Sequence, residues 1–177
     1  MEKLHTFEEF VNEAKKQTYD YGCAMVFLDA PGFSALQERI DPADLHQNGL
    51  ESEPHVTLLY GLHSNEINDE EVMKVCETDY PPISLHNVSL FENDDFDVLK
   101  FDATSGVLTE VNRKLTKLPH TTNFPDYHAH ATIAYLKPGT GRKYVSEFGG
   151  ETIESTPAKI VYSKPDGSRV EKKIEKD

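Results

Sequence analysis

His55-Val56-Thr57-Leu58-Leu59-Tyr60 and His130-Ala131-Thr132-Ile133-Ala134-Tyr135 are two copies of one six-residue pattern, 75 residues apart. Each opens on histidine, places threonine two residues on, continues through aliphatic residues and closes on tyrosine. Aliphatic and β-branched runs of this length predict strands, and strand side chains alternate between faces. His55, Thr57 and Leu59 are therefore expected on one face, with Val56, Leu58 and Tyr60 on the other. In the second copy His130, Thr132 and Ala134 share a face, opposite Ala131, Ile133 and Tyr135. Tyr60 and Tyr135 are accordingly assigned to packing under a helix layer. One His-x-Thr in a chain with eight histidines means little; two in a common frame point to two strands lining one cleft.

Outward from these strings, Pro54 fits the first position of a strand, where its missing N–H costs least. Residues 41–53, rich in Asp, Glu and Asn, read as a loop. Upstream, an amphipathic helix is expected over residues 7–17, a strand over 22–29 and a short helix over 33–40. Downstream the pattern predicts a helix over 69–77, with Asp69, Glu70 and Glu71 on the favourable side of its dipole. Strands over 83–91 and 97–102 follow, then a helix over 105–118 with Val107, Leu108, Val111, Leu115 and Leu118 near one stripe. After the second string come a short helix or turn over 143–148 and two short strands near 151–155 and 158–163. The halves are alike enough to predict an α+β fold of two lobes related by approximate internal twofold symmetry. Residues 1–177 read as a single domain with its core over about 20–163, and residues 168–177 as a flexible, solvated tail.

The length permits one full core or two small lobes sharing a cleft. With 18 Lys+Arg against 31 Asp+Glu, the formal net charge of −13 repels long phosphate backbones and anionic membranes. Long nucleic acid and membrane partners are thereby disfavoured, whereas a small phosphate ligand in a locally positive pocket is not. The N-terminal residues lack a signal-peptide stretch and no run approaches a membrane span, so a cytoplasmic location is expected. Cys23 and Cys76 have no CxxC spacing and read as reduced, packed thiols.

Two imidazoles across a phosphodiester can divide its chemistry, one taking a proton from the attacking hydroxyl and the other protonating the departing oxygen. An ordinary histidine pKa of about 6.5 gives access to both states near neutrality. Threonine hydroxyls two residues on can donate to the nonbridging oxygens as charge builds there. His55 and His130 are thus the candidate catalytic pair and Thr57 and Thr132 the candidate phosphate-binding pair. This chemistry requires no metal or other cofactor. The bland alternative is four buried strand residues following β propensity.

Together with Glu53-Pro54 and Gly61 around the first string and Leu136-Lys137-Pro138-Gly139 after the second, these motifs resemble the signatures of the two-histidine (2H) phosphoesterase superfamily. That superfamily includes bacterial RNA 2′,5′-ligase-like proteins, cyclic phosphodiesterases and eukaryotic RNA-end-processing enzymes. The wider text is similar to its small phage-encoded branch, whose members degrade cyclic oligonucleotide messengers of bacterial antiphage defence. The resemblance spans approximately residues 20–163. It implies antiparallel sheets around a central cleft with helices outside, catalysis by His55 and His130, and Thr57 and Thr132 as their companion hydroxyls. It also implies a small cyclic oligonucleotide or short RNA-like phosphodiester as substrate, in a host cytoplasm if phage-encoded.

Further ligand contacts are expected from aromatic platforms. Tyr21 resembles the position of a stacking tyrosine in the phage branch. Tyr162 and Lys164, two residues apart, suggest a stacking ring beside a phosphate-binding ammonium. His128-Ala129-His130 supplies two imidazoles of one parity but no conventional third and fourth ligand, so a metal is not expected there. His120 and Tyr127 fall in a loop with a general role.

Overall fold

The computed structural model describes residues 20–122 and 126–175. The helix expected over residues 7–17 lies outside them. Among the described residues, eight strands and four helices run in the order β1 (Tyr21–Asp29), α1 (Phe33–Gln37), a 3-10 turn (Pro42–Asp44), β2 (Leu45–Leu50), β3 (His55–His63), α2 (Asp69–Cys76), β4 (Ile83–Glu92), β5 (Asp97–Thr104), α3 (Gly106–Leu115), β6 (His130–Leu136), α4 (Arg142–Phe148), β7 (Ile153–Ser163) and β8 (Arg169–Lys173). The strands hydrogen-bond in the order β2-β6-β5-β4-β7-β1-β3, with β8 added to β7. Every pairing is antiparallel.

β7 joins the two halves. Its start pairs with β4, Ile153 opposite Leu85 and Ser155 opposite Ile83. Its remainder pairs with β1 on one side and β8 on the other. The two final strands expected from the sequence are thus one strand that changes partners between Ser155 and Thr156, just before Pro157. The register there skips Ala158, and a bulge is where a residue without an N–H is tolerated in a ladder.

Three further expectations are corrected. Residues 45–50, read as loop, form β2, which meets β6 at Leu45–Leu136 and Leu50–Ala134. Residues 169–173, read as flexible tail, form β8, held by Lys159–Lys173 through Ser163–Arg169. The helix expected to reach residue 118 ends at Leu115.

The helices cover one face of the sheet. Ala24, Val26 and Leu28 of β1, and Leu99, Phe101 and Ala103 of β5, bury against Phe33 and Leu36 of α1, Val72 and Cys76 of α2, Leu108, Val111 and Leu115 of α3, and Phe148 of α4. Each large apolar side chain placed there contributes about 1.5–3 kcal/mol. The α2 start is capped by Asn68, whose side chain accepts from Glu70 N at 2.8 Å, a bond worth about 1 kcal/mol. The sheet curls until β3, at one end of the strand order, meets β6, next to the other end.

Both six-residue strings contain the same irregularity. In β3, Thr57 pairs with Met25 and Leu59 with Ala24, so Leu58 is an extra residue. In β6, Thr132 pairs with Lys100 and Ala134 with Leu99, so Ile133 is extra. A bulge shifts the parity of everything beyond it. Leu59 and Ala134 therefore turn into the helix-side core, while Tyr60, opposite Cys23, and Tyr135, opposite Val98, join the face of the histidines. This reverses the assignment of both tyrosines made from simple alternation. Tyr60 packs on Cys23, Met25, Phe27 and Val161.

The carbonyl of each extra residue is met by a side-chain amide from a helix. Asn112 of α3 donates to Leu58 O at 2.7 Å, and Gln37 of α1 donates to Ile133 O at 2.9 Å. A buried carbonyl without its partner costs about 1–3 kcal/mol, so these two amides hold the bulges in place.

Candidate active site

His55 and His130 each occupy the first residue of their strand. His55 Nδ1 lies 2.9 Å from the carbonyl of Glu53, and His130 Nδ1 lies 3.0 Å from the carbonyl of His128. A carbonyl oxygen only accepts, so Nδ1 carries the hydrogen in both rings and Nε2 is left for proton exchange. Each ring also meets a phenylalanine at a centroid distance of 5.3 Å. Phe27 stacks on His55 at 29°, and Phe91 meets His130 edge-on at 82°. Both imidazoles are thus fixed in tautomer and limited in rotation.

Thr57 and Thr132 follow two residues on, ahead of the bulges, and keep the parity of their histidines. Tyr127 donates to the Thr57 carbonyl at 2.8 Å, giving this loop residue a definite structural task. Cys23 and Cys76 are free and buried. Burial pushes the Cys23 thiol up to about 12, against a hydrogen bond with Thr57, so it stays protonated beside the threonine.

The floors beneath the two strings differ. Next to His55 and Thr57 lie Phe27, Met25 and Cys23 of β1. Next to His130 and Thr132 lie Asp102 and Lys100 of β5. Lys100 Nζ donates to Ser89 Oγ at 2.8 Å and to Asp102 Oδ1 at 3.2 Å. Asn87, at φ 52° in the bulge of β4, donates to Asp102 Oδ2 at 2.7 Å. Burial alone would raise the Asp102 carboxyl, but the hydrogen bonds from Asn87 and Lys100 outweigh it and hold it below the usual range.

His130 is held below the ordinary imidazole pKa, with burial as the largest cause. Lys100 and a protonated His55 push the same way, while the His128 carbonyl and Asp102 oppose them. A cavity of about 400 Å³ flanks this side, lined among others by Asp102, Thr104, Tyr127 and His128.

The other expected contacts are placed elsewhere. Tyr162 is fully buried on the helix side of β7, where its hydroxyl bonds Ser64 Oγ at 2.5 Å; no ring face is open to a base. Lys164, one residue past the end of β7, pairs with Asp69 of α2 at 2.8 Å. Tyr21 lies on the cleft side of β1 but is only 4% exposed, packed against Tyr60 and His63. Among the described residues, no group of three or more His, Cys, Asp or Glu is arranged to hold a metal ion, and no helix is long and apolar enough to cross a membrane.

Sequence reasoning missed Phe27, Phe91, Lys100, Asp102, Gln37 and Asn112. For Lys100 and Asp102 a signal existed: in Asp97-Val-Leu-Lys-Phe-Asp102 they alternate with Leu99 and Phe101, which reads as a polar face turned from the core. The two phenylalanines and two amides carry no such mark.

This arrangement of strands, with the two histidine strings where two sheet halves meet, is a mixed α+β fold that a solved structure shares. The chain superposes on Usb1 of Kluyveromyces marxianus, determined with uridine monophosphate, at a TM-score of 0.53 and 13% identity, over 87% of this chain and 98% of that one. A crystal structure of a phosphoesterase aligns at a TM-score of 0.46 and 12% identity, over 86% of this chain and 95% of that one. No protein-family model and no curated protein matches the sequence.

Proposed function

We propose that this protein is a metal-independent phosphodiesterase that opens the 3′-5′ bonds of small cyclic oligonucleotides, countering bacterial antiphage signalling. The observation that carries the reading is the matched anchoring of His55 and His130, each with Nδ1 bound to a carbonyl two residues back and Nε2 free. One Nε2 removes the proton of a ribose 2′-OH as its oxygen forms a bond to the adjacent phosphorus. The other gives its proton to the 5′ oxygen as the P–O5′ bond breaks. The products are a 2′,3′-cyclic phosphate end and a free 5′-OH, and water returns the two imidazoles to their starting states. Thr57 and Thr132 donate to the nonbridging oxygens while the phosphorane carries extra negative charge.

The net charge of −13 supports a short substrate over long RNA. The resemblance of the two strings to the phage-encoded branch supports the cyclic messenger, and the uridine monophosphate of the Usb1 structure supports a nucleotide ligand of some kind. Purified protein incubated with cyclic di- and trinucleotides in excess EDTA should yield linear products with 2′,3′-cyclic phosphate ends by mass spectrometry. Inactivity restored only by a divalent cation would reject the mechanism. Nucleoside 2′,3′-cyclic phosphates and 2′-5′-linked RNA in the same panel separate the related reactions, and tight binding with no turnover of any of them would identify a nucleotide sponge instead.

A further inference from the structure

Lys100 is 7% exposed, whereas the other lysines and arginines among the described residues lie at the surface or in partly exposed pairs. Removing an ammonium from water is costly unless it is well partnered. Here Nζ is held by Ser89 Oγ and Asp102 Oδ1 and lies 4.6 Å from the centroid of Phe91. That ring presents its edge to His130, and Lys100 itself sits opposite Thr132 in register. The matching position beneath Thr57 is the apolar Met25. The buried cation thus lies under one histidine string only; beside the other, Lys159 and Arg169 lie over the Phe27 ring but are partly exposed and paired with Glu171 and Glu53.

We propose that Lys100 is a positioning residue that reserves His130 for proton removal and leaves His55 as the proton donor, a division of labour that rests on the phosphodiesterase reading. The groups facing His130 are Lys100 and Asp102 of β5, His55 of β3, and the carbonyl of His128 in its own chain segment. From β4, His86 bonds Thr104 Oγ1 at 2.6 Å and faces Asp102. Lys100 opposes an imidazolium at His130. Asp102 favours one, but its two oxygens already accept from Lys100 and Asn87, which blunts that pull. The Nε2 lone pair of His130 is therefore available at neutral pH, and burial among its neighbours reinforces this. In the lobe of His55 the floor of Cys23, Met25 and Phe27 carries no buried cation, and the two cations over Phe27, Lys159 and Arg169, are partly exposed and paired with Glu171 and Glu53.

The test is an NMR titration of the histidine Cε1–H signals in the substrate-free protein, compared among wild type, Lys100→Met, Lys100→Arg and Asp102→Asn. Lys100→Met should move the His130 midpoint up, Asp102→Asn should move it down, and Lys100→Arg should leave it near wild type. The acid limb of kcat/KM should follow, with Lys100→Met losing roughly 3–10-fold more activity at pH 5.5 than at pH 8. A purely structural lysine would not move the midpoint in opposite senses with the two charges. If Lys100→Met fails to fold, Lys100→Gln, which also removes the charge, decides in its place, and an unmoved His130 midpoint in that folded variant overturns the proposal. Because the titration uses no substrate, midpoints that move as expected in a protein without phosphodiesterase activity overturn the reaction alone. An active enzyme whose His130 midpoint ignores both substitutions overturns the role of Lys100.

Discussion

The lobe built around β3 and the lobe built around β6 use the same six-residue string, the same bulge after the threonine and the same bond from Nδ1 to a carbonyl. They differ in what lies underneath. The first string rests on Phe27, Met25 and Cys23, the second on Asp102 and Lys100. A duplicated backbone thus presents two imidazoles in equivalent geometry, and the neighbouring strand decides how readily each holds a proton. Geometry is the shared part of the site and electrostatics the unshared part.

The comparison breaks most plainly at the histidines. His55→Ala and His130→Ala should each lower turnover of the cleaved nucleotide by about 10²–10⁴-fold, the usual contribution of a positioned acid or base, with folding by circular dichroism unchanged. Wild-type turnover by either folded variant removes that lobe from the chemistry. The threonines should show a smaller and matched effect. Thr57→Val and Thr132→Val each remove a donor but keep shape, costing about 1–3 kcal/mol of transition-state stabilisation or roughly one to two orders of magnitude in rate. Serine at either position should retain much more activity, and equal serine and valine rates would make the threonines structural.

Behind the strands, the lobes should again behave alike. Asn112→Leu and Gln37→Leu each take an amide from a bulge carbonyl, and urea denaturation should register a loss of about 1–3 kcal/mol in each. A cost within the roughly 0.5 kcal/mol of surface changes would mean that those carbonyls do not need the amides.

The smallest expected effect is the one that separates the lobes. With the folded-state pKa of His130 lowered and the unfolded value near 6.5, the unfolded chain binds more protons between the two. The contribution of His130 to stability is then fully present above pH of about 6.5 and is lost as pH falls through the folded value. Thermal melts of wild type against His130→Gln across that window should converge on acidification. Divergence would show that His130 gains, rather than loses, proton affinity on folding.

Most elements were legible in the chain because their side chains announce them: the apolar runs of β1, β4 and β5, the stripe of α3, the acidic first turn of α2. The four residues of the candidate site stood out for a different reason, since the whole six-residue string repeats in a common frame. What escaped was whatever depends on a partner. Leu45–Leu50 is polar enough to read as loop and becomes β2 because β6 offers it a ladder; Arg169–Lys173 becomes β8 because β7 does. Tyr162 has the same composition-level appearance as a stacking tyrosine, yet its place on β7 turns it into the core.

The two histidine strings, their strand character and the chemistry open to their side chains follow from residue type and local alternation alone. Which faces Tyr60 and Tyr135 take, which amides hold the bulges, and which charges sit beneath His130 come from the fold. Each of those depends on pairing between strands distant in the chain, where one inserted residue reverses a face and one neighbouring ammonium shifts a proton equilibrium.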